Sequence, residues 1–279
     1  MSTFRKVPIK TVKDYWDRRP CNVRHSLKPY TTLAYSQEVT ARKFRVEPHI
    51  PIFASYASWA GAKVLDLGCG IGTDAIRFAK AGARVTAVDL SGESLKIARR
   101  RATLETCIHD VTFYQADLEH LTDTVPVEPY DLLYSFGVLH HTPSPELALS
   151  EIYKYSKPGT IFKLMLYHRR SFKAQWALWK TRHDWRYKTK EERIAAYSEA
   201  QTGCPVTRTY TRREARRLMD WLKLDVLDLR IEHIFPYRIP DYIEYRYVKA
   251  FPWNCMPAWL FRALEHTWGW HMLITAQRP

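Results

Sequence analysis

The chain has 279 residues, 46% hydrophobic and 26% charged, an ordinary globular composition with room for one large α/β domain plus additions. No apolar run reaches ~18 residues, which excludes a readable transmembrane helix. The net charge of +14 is uneven: residues 1–60 carry +7, residues 61–165 carry −2 and residues 166–279 carry +9. Such basic flanks attract phosphates, nucleic acids and anionic membranes, or serve only as a solvated surface.

In chain order, Met1 to Lys13 is basic and polar without the apolar stretch of a signal peptide, so a cytoplasmic protein is expected. Residues 1–60 show no strand periodicity. They carry a helical pattern around Thr31–Arg45, then Pro48 and Pro51 as breakers, and read as an N-terminal extension. From residue 61 the pattern is regular. Lys63–Leu67 predicts a strand, Thr73–Ala81 a helix ending near Gly82, and Arg84–Leu90 a second strand. Ser91 caps a helix to about Leu104, with Leu95, Ala98 and Ala102 on one face. Val111–Ala116 and Asp131–Phe136 are further strands. A helix from Ser144-Pro145 runs to about Ser156, Pro158-Gly159 forms a turn, and Thr160–Tyr167 is a fifth strand.

Residues 168–210 break this rhythm and are rich in Trp, Arg and Lys. Thr211–Leu222 returns as a helix, Asp225–Ile231 as a strand and His271–Ala276 as a last strand, with an insertion over 233–268. Alternating strands and helices predict a parallel sheet covered on both faces. The expected organisation is an extension or lid (1–60), a ligand-binding core (61–167), and a completion of that core (168–279) with substrate-side insertions at 168–210 and 233–268. The five cysteines are scattered without a CxxC or CxxH pair, so neither a disulfide framework nor a metal site is expected.

The decisive stretch is Val64-Leu65-Asp66-Leu67-Gly68-Cys69-Gly70-Ile71-Gly72-Thr73-Asp74, a strand running into glycines that open a helix. Asp89 ends the next strand, 17 residues after Gly72, where an acid can accept hydrogen bonds from ribose hydroxyls. A dinucleotide site needs G-x-G-x-x-G and a helix N-terminus facing a pyrophosphate. Here the glycines are spaced G-x-G-x-G, and Asp66 lies two residues before the first. That carboxylate repels a pyrophosphate and suits a ligand with an ammonium group and no phosphate.

D-x-G-x-G-x-G after the first strand, with an acid ending the second, resembles the class I S-adenosylmethionine-dependent methyltransferases. Tyr114-Gln115-Ala116-Asp117-Leu118 is similar to that family's adenine-binding loop. The run from Tyr130 to His141, YDLLYSFGVLHH, resembles the fourth-strand motif of its ubiquinone-biosynthesis-type, small-molecule branch. The resemblance covers residues 61–167 and implies a Rossmann-like seven-stranded α/β sheet, mostly parallel with an antiparallel last strand, and helices on both faces. It implies S-adenosylmethionine as cofactor and S-adenosylhomocysteine as product. Asp66, Gly68, Cys69, Gly70, Gly72, Asp89, Leu90, Asp117, Leu118 and Phe136 are the cofactor-binding positions it assigns. By the same likeness Tyr15 and Trp16, in Asp14-Tyr15-Trp16-Asp17-Arg18-Arg19, form a lid over the cofactor, where the plainer alternative is an aromatic pair packed on the core. Asp74 and Asp131 are read as structural.

Methyl transfer to an oxygen or nitrogen calls for an aligned acceptor, excluded water and, for a protonated acceptor, a base. His141 is the first candidate for that base and His140 the second, both just past the fourth strand. Eight of the ten Trp residues follow residue 170, and Phe172, Trp176 and Trp179 share one helical face. That stripe reads first as a lid helix packed on the core. Otherwise the flank forms an aromatic pocket with a cationic rim for an anionic or lipid-linked small molecule, or lies on an acidic membrane surface. An RNA (tRNA) acceptor ranks below a small molecule because no RNA-binding module is visible. A non-catalytic cofactor-binding partner is the remaining alternative. Oligomeric state is not encoded legibly.

Overall fold

The computed structural model describes residues 3–199 and 203–279. Seven strands form one sheet: β1 (Lys63–Leu67), β2 (Arg84–Asp89), β3 (Val111–Gln115), β4 (Tyr130–Phe136), β5 (Ser156–Tyr167), β6 (Asp225–Glu232) and β7 (His271–Gln277). Their spatial order is β3-β2-β1-β4-β5-β7-β6. β1 to β5 pair in parallel, and β7 runs antiparallel between β5 and β6. This is the expected fold. The reversal of strand order between β1 and β4 opens a crevice at the carboxyl edge of the sheet, where open α/β sheets bind ligands.

The helices are α1 (Ile9–Arg18), α2 (Leu33–Val46), α3 (His49–Ala54), α4 (Thr73–Lys80), α5 (Gly92–Leu104) and α6 (Pro145–Tyr153). After β5 come α7 (Phe172–Lys180), α8 (Lys190–Ala195), α9 (Arg212–Trp221), α10 (Ile239–Ile243) and α11 (Ala258–Trp268). None is long and apolar enough to cross a membrane, among the described residues.

Both faces of the sheet are covered because neighbouring strand residues point to opposite sides. Val64, Leu132 and Tyr134 join Ala75 and Phe78 of α4 and Leu95, Ala98 and Ala102 of α5 in one cluster. Leu65, Leu67 and Leu133 join Leu149 and Ile152 of α6 and Met219 of α9 in the other. Each large apolar side chain withdrawn from water contributes roughly 1.5–3 kcal/mol before chain entropy is charged against it.

Three local expectations are corrected. Pro48 and Pro51 do not simply break structure: Pro48 is the N-cap of α3 and Pro51 lies in its first turn, where a missing N–H leaves no bond unmade. Pro158-Gly159 does not precede β5 but bulges within it: Tyr130 pairs with Ser156, and the ladder resumes at Leu132 with Ile161. The Phe172, Trp176, Trp179 stripe does not pack on the core. α7 buries Ala174 and Ala177 instead, and leaves Trp176 and Trp179 39% and 59% exposed.

Candidate active site

The glycine turn after β1 forms the floor of the crevice. Gly68, Gly70 and Gly72 have φ of 79°, 55° and 79°, a region L-residues enter only with strain. A Cβ on Gly68 would lie 2.1 Å from Val138, so the turn packs tightly there. A Cβ on Gly70 would meet nothing within 4 Å, so that backbone is open to a close ligand. Gly72 is the N-cap of α4.

Three acids stand at three successive strand ends. Asp66 is buried beneath the turn with Oδ2 unpartnered, and burial together with the charge of Asp74 pushes its carboxyl well above the usual range. Asp89 accepts from the Gly70 N–H and the Ser91 N–H, both at 2.8 Å, while burial raises it to about 6. Asp117 accepts from the Glu119 N–H at 2.9 Å and begins a short 3-10 segment. Asp74 is held by Lys43 Nζ at 2.8 Å and the Tyr56 hydroxyl at 2.5 Å. Asp131 accepts from the Lys63 N–H and pairs with Lys157.

These groups open into one cavity of about 1130 Å³. Asp66, Gly68, Cys69, Gly70, Asp89, Leu90, Asp117, Leu118 and Phe136 all line it, as do Tyr15, Trp16 and His141. Gly72 and His140 do not. An orphaned carboxylate oxygen, an exposed backbone turn and an acid at the second strand's end fit a nucleoside carrying an ammonium group.

α1 crosses this cavity. Its Asp17 accepts from the Ser91 hydroxyl at 2.7 Å, and Ser91 in turn caps α5 by accepting from the Ser94 N–H. Tyr15 donates its hydroxyl to the Gly203 carbonyl at 2.6 Å, and the Trp16 ring meets the His141 ring edge-on at 5.3 Å. Val12 of α1 packs with Phe4, Ala195 and Val206, and Trp16 lies against the same cluster.

The two candidate histidines separate. His140 is wholly buried against Tyr167, ring centroids 3.6 Å apart, and burial drives its pKa well below 6.5. His141 has Nδ1 2.7 Å from the Val206 carbonyl and Nε2 3.5 Å from Glu199 Oε1. Burial opposes its charge, but neighbouring Cys204 and Glu199 outweigh that and raise it to about 10. Burial raises Glu199 too, yet His141, Lys173 and the Tyr167 hydroxyl bring it down to about 2. The Glu199 carboxylate beside it thus favours the charged form of His141. Lys173 lines the same wall 4.9 Å over the Trp270 ring. Burial lowers its pKa against the pull of Glu199 and Glu47.

Sequence reasoning missed a second polar group at the cavity: Glu47 after α2, His233 after β6 and His271 at the start of β7 line it, and His49 on α3 bonds to His271. His49 Nε2 is 2.9 Å from His271 Nδ1, and His271 Nε2 is 3.7 Å from Glu47 Oε1. Burial lowers His49 to about 4, and pushes His233 and His271 well below 6.5. Burial raises Glu47 to about 7 against the opposing charge of Lys43.

A family model described as a methyltransferase domain matches residues 59–219, and the chain belongs to that family. Its fold is that of the class I S-adenosylmethionine-dependent methyltransferases. Among curated proteins it is 35% identical over 112 residues to an S-adenosyl-L-methionine-dependent Diels-Alderase of Talaromyces variabilis, covering 40% of this chain and 38% of that one. It is 38% identical over 99 residues to the ubiquinone biosynthesis O-methyltransferase of Photorhabdus laumondii, covering 36% of this chain and 40% of that one. The chain thus spans about two fifths of the length of the curated relatives it matches. Magnesium protoporphyrin IX methyltransferase from Synechocystis, solved with bound S-adenosylhomocysteine, superposes with TM-score 0.61 at 14% identity, over 98% of this chain and 100% of that one. Geranyl diphosphate C-methyltransferase from Streptomyces coelicolor gives 0.60 at 16% identity, over 100% and 99%.

Proposed function

We propose that this chain transfers a methyl group from S-adenosylmethionine to an oxygen or nitrogen of a small-molecule acceptor, with an anionic oxygen favoured. The observation that carries the reading is a single cavity joining the Gly68–Gly72 turn to a wall bearing the His141 imidazolium and Lys173. When bound, S-adenosylmethionine supplies a methyl group on a sulfonium for in-line displacement, leaving S-adenosylhomocysteine. Asp66 would face its ammonium group and Asp89 its ribose hydroxyls. Asp117 and Leu118 would hold the adenine, and Phe136 would shape the methionine end. Tyr15 and Trp16, on α1, would exclude water from the reacting atoms.

The acceptor side follows from charge. With a pKa near 10, His141 holds its proton at neutral pH and cannot receive another. The Glu199 carboxylate offsets the charge of His141, and Lys173 beside them favours an acceptor oxygen in its ionised form, because a cation beside an acidic group lowers that group's pKa. Aromatic Trp176, Trp253 and Trp268 line the outer cavity and suit an apolar acceptor body.

The test is transfer of radiolabel from S-adenosylmethionine into host extract split into small-molecule, lipid, RNA and protein fractions. Label in the small-molecule or lipid fraction is the expected outcome. Label confined to RNA or protein overturns the acceptor class, and cofactor binding with no label in any fraction favours a non-catalytic binder.

A further inference from the structure

We infer that Glu47, His233 and His271 form a binding site for one divalent first-row transition-metal ion in the acceptor part of the cavity. Each offers one ligand atom, and the three atoms lie within 4.8 Å of one another. Two histidines and one carboxylate are a donor set for Zn²⁺ or Fe²⁺ that leaves coordination positions open. Ligand atoms about 2.0–2.2 Å from a shared ion stand roughly 3–4 Å apart. The 3.7 Å between His271 Nε2 and Glu47 Oε1 is too long for a good hydrogen bond and right for two ligands flanking an ion. From within 4.8 Å of one another, the atoms close to that spacing by at most about 1–2 Å.

The fold brings these residues together and points them inward. Tyr167 at the end of β5 pairs with His271, and Glu232 at the end of β6 pairs with His271 from the other side. His233 is the next residue, so both histidines sit on the carboxyl edge beside Phe136, whose ring meets His271 at 5.5 Å. Three further observations make the site a built one. All three residues line the cavity, with His233 and His271 only 8% and 4% exposed. His49 holds His271 Nδ1 at 2.9 Å and so turns Nε2 toward Glu47, the orienting bond that metal-bound histidines usually have. His233 takes φ of +72°, a left-handed conformation a non-glycine residue enters at a cost, and that conformation stacks its ring on His271 at 4.6 Å.

The absence of clustered cysteines and short ligand spacings argues against a metal in the sequence. It does not bear on ligands drawn from three elements up to 224 positions apart. An ion here would present its open positions to the cavity. Resting on the function proposed above, it would bind the acceptor oxygen and lower its pKa, the proton passing to solvent.

The test uses the full chain, stripped with chelator and titrated with Co²⁺ followed by visible absorption, then with Zn²⁺ by calorimetry. One saturable equivalent is expected, with affinity lowered about tenfold or more in His233→Ala, His271→Ala and Glu47→Gln, and about tenfold in His49→Ala. Circular dichroism melts identify variants that fail to fold. No saturable binding to the wild-type chain, or binding unmoved by all folded variants, overturns the site. A parallel titration with S-adenosylhomocysteine separates the two readings. Co²⁺ bound without that ligand sinks the methyltransferase reading alone, and the reverse sinks the metal site alone.

Discussion

Asp89 spends its two carboxylate oxygens on the N–H groups of Gly70 and Ser91, and burial lifts its pKa to about 6. Acceptance of ribose hydroxyls requires the ionised form, so affinity for S-adenosylhomocysteine should fall as pH drops through 6, in calorimetric titrations from pH 8 to 5. Asp89→Ala should weaken binding by about 1–3 kcal/mol at neutral pH and flatten that pH dependence. An unchanged affinity would show that Asp89 does not meet the ligand. His141 carries the opposite sign. Its folded pKa is raised above 6.5 to about 10, so its charge stabilises the fold fully below pH 6.5, and that contribution is lost as pH rises through 10. The stability gap between wild type and His141→Gln in urea titrations should therefore shrink between pH 7 and 10. Turnover should not climb through pH 6–7, as it would with a neutral histidine base; a climb there that vanishes in His141→Gln would restore the base role.

At the scale of elements, the glycine turn is held by one side chain from α5. Arg101 is fully buried, and its guanidinium donates to the Ile71 carbonyl, Thr73 Oγ1, Ser36 Oγ and the Ser36 carbonyl, and Thr40 Oγ1. It thereby fastens α2 to the turn, while burial lowers its own pKa to about 10. Arg101→Met should cost about 2–5 kcal/mol, because several buried acceptors lose their donor. The reading is a lowered urea midpoint at unchanged slope; a midpoint within error of wild type would mean that the turn stands without it. Such ties are illegible in a sequence, where Arg101 is one of three consecutive arginines with nothing to mark it as the buried one. β1, β2 and β4 were legible because each is a short apolar run closed by glycine or an acid, and β1 matches its expected bounds of Lys63–Leu67. α7 was half legible. Its helical spacing was readable, but its alanines rather than its tryptophans face inward, since neighbouring segments decide which face is buried. The acids at the strand ends were legible as a local motif. Glu47, His233 and His271 were not, because antiparallel insertion of β7 creates their proximity and no local pattern records it.

Charge is a property of the whole molecule, and it need not belong to the cavity. Part of the excess in the last third sits on α9, whose Arg212, Arg213, Arg216 and Arg217 are exposed and outnumber its Glu214 and Asp220, while Ala215 and Met219 pack under the sheet. None of these arginines lines the cavity. Their field attracts any polyanion through counterion release, with an affinity that falls steeply as salt rises. A polyanion held there would be held away from Gly70 and His141. Arg213→Glu, Arg216→Glu and Arg217→Glu together change the net charge by −6, from +14 to +8. This triple variant should elute earlier from heparin and bind RNA less at low salt. Its S-adenosylhomocysteine affinity and its turnover on a small-molecule acceptor should match wild type. Should turnover fall with RNA affinity while S-adenosylhomocysteine affinity stays constant, the cationic face would be part of acceptor recognition, and the acceptor would be a nucleic acid rather than a small molecule.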